Sequence, residues 1–145
     1  MMRKALAITL LLSSTVLYAW AGWDDEPIEK LIARAETRSD SQAEHCADVA
    51  RREVEIANQY YTSGDVEKAE DAVKLTVTYS QKALDAGKRT RKKLKETDLT
   101  LRKTSRRLSD VEQTLAFEDK PLVKDAVEKI EHVRSQLLTL MFAQK

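Results

Sequence analysis

The chain has 145 residues, with 25 Lys and Arg against 24 Asp and Glu, a net charge of +1, and 42% hydrophobic but only 6% aromatic residues. That length suits one domain with one core, and a single cysteine excludes an intramolecular disulfide framework. Three glycines and two prolines leave few turns, and no run of alternating β-branched residues suggests a strand, so the composition points to an all-α chain of long helices.

At the N-terminus Arg3 and Lys4 precede the apolar run Ala5 to Leu12, and Ala19, Trp20 and Ala21 stand before the acidic Asp24, Asp25 and Glu26. Positive charge, short apolar run and small-residue site in that order predict a Sec-type signal peptide over residues 1–21, cut after Ala21. The expected location is therefore the periplasm or the cell exterior. The rival is a retained anchor, but Ser13, Ser14 and Thr15 interrupt a segment shorter than the roughly 20 apolar residues of a membrane helix. No cysteine follows the cleavage site, which excludes a lipoprotein. The mature chain, 22–145, is expected to be one helical domain without a transmembrane helix.

Pro27, behind three acids, suits a first helical position. From Ile28 and Leu31 to Ala57 and Tyr60, apolar residues recur at steps of three and four. A first helix is expected over 26–62, with the polar stretch Thr37 to Gln42 as its weak point. Gly64 can close it in a left-handed cap, and Asp65 can start the next. Ala57, Tyr60, Gly64, Asp65 and Ala69 fall at the spacing found inside a tetratricopeptide repeat, and the hairpin over residues 53–81 resembles one such unit. It departs from that family at Glu53 and Gln81, where tryptophan and proline are favoured, and no copy recurs 34 residues on. The resemblance implies a helical hairpin; a peptide-binding groove would need several stacked units.

A second helix is expected over 65–116. Leu94, Leu101, Leu108 and Leu115, at intervals of seven, make the seam of a coiled coil, and an uninterrupted run of about 52 residues would form a rod of roughly 78 Å. The alternative is a break somewhere over 87–98, giving a compact four-helix bundle. Pro121 opens a last helix over 121–142, striped by Val123, Ala126, Ile130, Val133 and Leu137. The primary expectation is thus three helices in antiparallel hairpins around a long central one.

Near-neutrality hides a separation. From Asp24 to Asp71 there are 14 acids and 6 bases, whereas Lys88 to Arg107 holds 10 bases and 2 acids. Folding the first helix antiparallel on the second about Gly64 would set Glu36 level with Lys92, Asp40 with Lys88, and Glu26 with Arg102 and Lys103. A similar fold about the second turn sets Leu137 beside Leu101 and Ile130 beside Leu108. With the leucine seam inward, Arg89, Lys92, Lys103, Arg106 and Arg107 point outward. That stripe reads either as a solvated face or as a docking surface for an anionic envelope component or an acidic protein. Nucleic acid is not expected, because no aromatic residue lies between Lys88 and Arg107 to stack a base.

No catalytic constellation is legible. His45 and His132 belong to no metal-ligand pair of helical spacing, and neither a glycine-rich phosphate loop nor a haem-attachment motif occurs. Cys46, beside His45, falls on the apolar stripe and reads as a small core residue. The expectation is a non-enzymatic interaction or scaffold protein without cofactor, metal or catalytic residues, working through a protein partner or self-association along the leucine seam. The alternatives are a carrier or chaperone with an interhelical pocket, and an envelope-binding protein using the stripe over 88–107.

Overall fold

The computed structural model describes residues 26–143, so the expected signal peptide and the mature start at Gly22 lie outside the described residues. Five α-helices follow in order: α1 (Ile28–Ala35), α2 (Gln42–Ser63), α3 (Val66–Thr90), α4 (Leu94–Gln113) and α5 (Lys120–Phe142), with a 3₁₀ turn at Phe117–Asp119 before the last. The described residues contain no strand. The all-α architecture of antiparallel hairpins is as the periodicity predicts; the three-helix division is corrected at two places.

The first correction is at the polar stretch after Ala35. Thr37 to Ser41 offers nothing to bury, and the chain turns there so that α1 lies back on α2. The exposed end of α1 is closed by its neighbours, because the Gln42 side-chain amide donates to the Ala35 carbonyl at 2.9 Å and the Cys46 thiol points to the same oxygen at 3.5 Å. The facing pairs expected for one long helix are therefore displaced. Glu36 meets Lys82 at 2.8 Å and Tyr79 at 3.0 Å instead of Lys92, and Glu26 meets Arg34 at 2.5 Å instead of the bases of α4.

Gly64 does take the left-handed conformation, with φ 85°, and Asp65 caps α3 by accepting from the Lys68 amide. Small residues line the α2–α3 contact: Ala43, Ala47, Ala50 and Ala57 on one side, Ala69, Ala72 and Ala83 on the other, all buried. Such side chains allow two helix axes to approach closely.

The second correction is the long central helix. It ends at Thr90 and restarts at Leu94, across a link in which Arg91 and Lys93 both adopt left-handed angles, φ 56° and 57°. Between Ala86 and Leu94 the sequence has no apolar side chain except the hydrogen of Gly87. A straight helix would carry Leu94, Leu101 and Leu108 away from the core. Two left-handed residues cost about 1–2 kcal/mol each, whereas burying each leucine yields about 1.5–3 kcal/mol, so the break wins. Gly87 leaves room for close packing at the reversal, since a Cβ there would stand 3.0 Å from Cδ2 of Leu94 and 3.3 Å from Cδ2 of Leu137.

The result is two hairpins, α2–α3 and α4–α5, joined by the link and packed with α2 on α4 and α3 on α5. Leu84, Leu101, Leu108, Ile130 and Leu137 are wholly buried in their common core. Four buried hydroxyls are satisfied locally, Thr76, Ser80, Thr97 and Thr104 each donating to the carbonyl four residues earlier, whereas the buried Tyr61 hydroxyl has no partner among the described residues. One partly buried ion pair ties α4 to α5, with Arg134 donating to Asp98 at 3.0 Å. No described helix is long and apolar enough to cross a membrane.

Candidate functional site

α4 divides its residues sharply. Leu94, Thr97, Leu101, Thr104, Leu108 and Val111 face the core, while Lys95, Leu99, Arg102, Lys103 and Arg106 stand exposed on the other side, led by Lys92 in the link. Lys95, Leu99, Lys103 and Arg106 recur at steps of three and four with Arg102 beside them, so they form one stripe about 17 Å long, with the exposed Glu96 at its start. Lys92, Lys95, Lys103 and Arg106 make no ion pair with a described residue. Leu99, 42% exposed, sits in their midst. Burial pushes the Glu131 carboxyl up, but hydrogen bonds with Ser105 and Arg134, and the charges of Arg134 and Arg102, leave it below the ordinary range.

The charges of α4 are mixed with respect to its own dipole: Lys93 and Lys95 stand at the positive N-terminal end together with the exposed Glu96, and Asp110 and Glu112 at the negative C-terminal end. α3 has the favourable order, opening with Glu67 and closing with Lys88 and Arg89.

A cleft of about 610 Å³ lies beside this face, where α1 leaves a space against α2 and α4. Arg34, Arg51, Arg52, Lys103 and Arg107 line it, with Glu26, Asp48 and Glu55 between them. Arg107 is committed to Glu55, donating from Nε at 2.7 Å and from Nη2 at 3.2 Å, and that hydrogen bond raises its pKa further. Burial pushes the Asp48 carboxyl up, partly offset by Arg51. The lining holds neither histidine, cysteine nor hydroxyl, so it offers charge and hydrogen bonds without a nucleophile.

The five outward bases of the sequence reading are thus exposed but do not act together. Arg89, at the end of α3, donates to the Gln42 side chain, and Arg107 is held in the cleft by Glu55, which leaves Lys92 and Arg106 on the outward face with Lys103 at its border with the cleft. Leu94, Leu101 and Leu108 are buried and Leu115 is partly buried against the same core, so the seam is used within the chain and is not open to a second copy. Sequence reasoning missed Lys95, Leu99 and Arg102; the spacing of Leu99, four residues from both Lys95 and Lys103, could have found them. The cleft depends on the reversal of α1 and has no sequence signal of its own.

His132 is exposed, and His45 is half-buried with its Nδ1 lacking a partner. Cys46 is buried, and burial first, then the Glu36 charge, raises its thiol pKa to about 11. A thiol so placed is a core residue rather than a nucleophile. Among the described residues no group of three His, Cys, Asp or Glu is placed to hold a metal ion. No family model matches the chain, and no curated protein or solved structure is significantly similar to it, so its reading rests on its own residues.

Proposed function

We propose that the protein is a non-enzymatic helical interaction module, exported to the periplasm or cell exterior, that docks an anionic partner on the outward face of α4. The observation that carries this reading is the row of bases without an ion pair to a described residue, Lys92, Lys95, Lys103 and Arg106, around the exposed Leu99. An anionic polymer is the direct probe. The protein should bind polyglutamate with an affinity that falls steeply as salt rises, and Lys95→Glu/Lys103→Glu/Arg106→Glu should abolish binding while leaving the helical circular dichroism unchanged. Equal binding by the triple variant would sink the reading.

The cleft supports a second reading, a carrier of a small anion held by Arg52 and Lys103. Arg52→Ala separates the two, since it empties the cleft of a cation without touching the outward face of α4.

A further inference from the structure

The basic face has a counterpart on the same chain. At the far end of the bundle the 3₁₀ turn presents Phe117, 87% exposed, followed by the exposed Glu118 and by Asp119. The α2–α3 turn lies at that end too, because Tyr61 near the end of α2 is close to both Glu70 of α3 and Asp119. Glu67 and Asp71 add exposed carboxylates there. Of the lysines at this end, Lys68 is paired with Asp65. A phenylalanine standing in water among carboxylates contributes nothing to the core of one molecule.

Resting on the reading of the α4 face as a docking surface, we infer that its occupant is a second copy of this chain. The Phe117 turn of one molecule seats on Leu99 of the next, with Glu118 and Asp119 set among Lys95, Lys103 and Arg106. The two surfaces match in kind, for each has one exposed apolar side chain beside charges mostly of one sign, Glu118 and Asp119 before Lys120 at Phe117, and Lys95, Lys103 and Arg106 with Glu96 at Leu99. Exposed ion pairs add little affinity, but they steer the encounter and set its orientation, while an aromatic anchor supplies most of the binding energy. Arg and Lys at the rim also attract the face of a phenyl ring.

An anionic lipid surface fits this face less well. Helices that lie on membranes insert a broad apolar side, and that side of α4 is already in the core, leaving only Leu99 exposed. The two complementary surfaces occupy different places on the chain, so the contact is head to tail. Each added copy leaves one surface of each kind free, which builds chains or a ring and not an isologous dimer.

Sedimentation velocity on the purified exported protein tests this, over a range of concentration at about 0.02 M and about 0.5 M salt. The average mass should climb with concentration at low salt and return to the monomer at high salt. Phe117→Ala should weaken association about tenfold or more, and Lys103→Glu/Arg106→Glu and Glu118→Lys/Asp119→Lys should each abolish it. An equimolar mixture of those two double variants should regain it, because each then offers the sign the other lacks. All five positions are on the surface, and circular dichroism checks that the fold is kept. A monomer at every concentration and salt overturns the inference, as does association indifferent to Phe117→Ala and to both reversals. Polyglutamate, and vesicles of phosphatidylglycerol, run in parallel. A monomer that binds either through Lys103 and Arg106 removes self-docking and keeps the docking face; a monomer that binds neither removes both.

Discussion

Glu53 carries a carboxyl into the interior, only 5% exposed on α2 and without an ion pair to any described residue. Burial pushes its pKa up. Because the folded pKa lies above the unfolded one, the unfolded chain gives up this proton first, so stability falls as pH rises through that interval. The cost is absent well below the ordinary carboxylate range and complete above the raised value. Glu53→Gln should therefore stabilise the protein near neutral pH by on the order of 1 kcal/mol, and by nothing in acid. Thermal melts of both proteins across that range check it; a constant difference at all pH values would show that packing, not charge, sets the effect. Glu36 has the opposite sign. The Lys82 and then the Tyr79 hydrogen bonds hold its carboxyl below the ordinary value, so its contribution is present at neutral pH and is lost as the medium turns acid. With half of its side chain exposed, that contribution is small.

Among the elements, the link between α3 and α4 decides the fold. Arg91 and Lys93 are the non-glycine residues with positive φ in the described chain, and neither supplies a side-chain cap to α4. Glycine adopts that conformation without the steric cost, although it loses more chain entropy on folding. Lys93→Gly should raise stability by about 0.5–1 kcal/mol, read from the urea midpoint at unchanged slope. Destabilisation would mean that the Lys93 side chain holds the reversal. The turns at Gly64 and Pro121 were legible because each has a residue with one dominant backbone role. The link was legible only as an alternative, a break somewhere over 87–98, since an arginine and two lysines have no turn preference and only the seven-residue absence of bulky apolar side chains marked the place.

For the whole molecule, the break replaces a rod by a bundle. Its longest helix, α3, has 25 residues and a length of about 38 Å, so scattering at high salt should give a maximum dimension near about 50 Å, against roughly 78 Å for an unbroken central helix. A value near the latter would refute the reversal at Arg91. The link gathers Lys88, Arg89, Lys92 and Lys95 at one end of the bundle, where the end of α1 also brings Glu36 to Lys82 and the start of α2 brings Gln42 to Arg89. The two blocks of opposite sign were visible in the sequence. Their use was not. The blocks were expected to neutralise each other along one pair of helices, whereas Glu26 and Glu36 go to Arg34 and Lys82, and among the bases of α4 Arg107 is answered from α2, by Glu55.

The sequence by itself determined the all-α class, the turns at Gly64 and Pro121 and much of the core, because periodicity, caps and prolines act over a few residues and need no partner. Val123, Ile130 and Leu137 could be assigned to the interior from spacing alone, as could Leu101 and Leu108. Only the tertiary structure decided where the long apolar stripes break, which bases stay unpaired and where a cleft opens. Those outcomes depend on whether burying leucines on a neighbouring helix outweighs two strained residues, a balance between distant segments that no local signal contains.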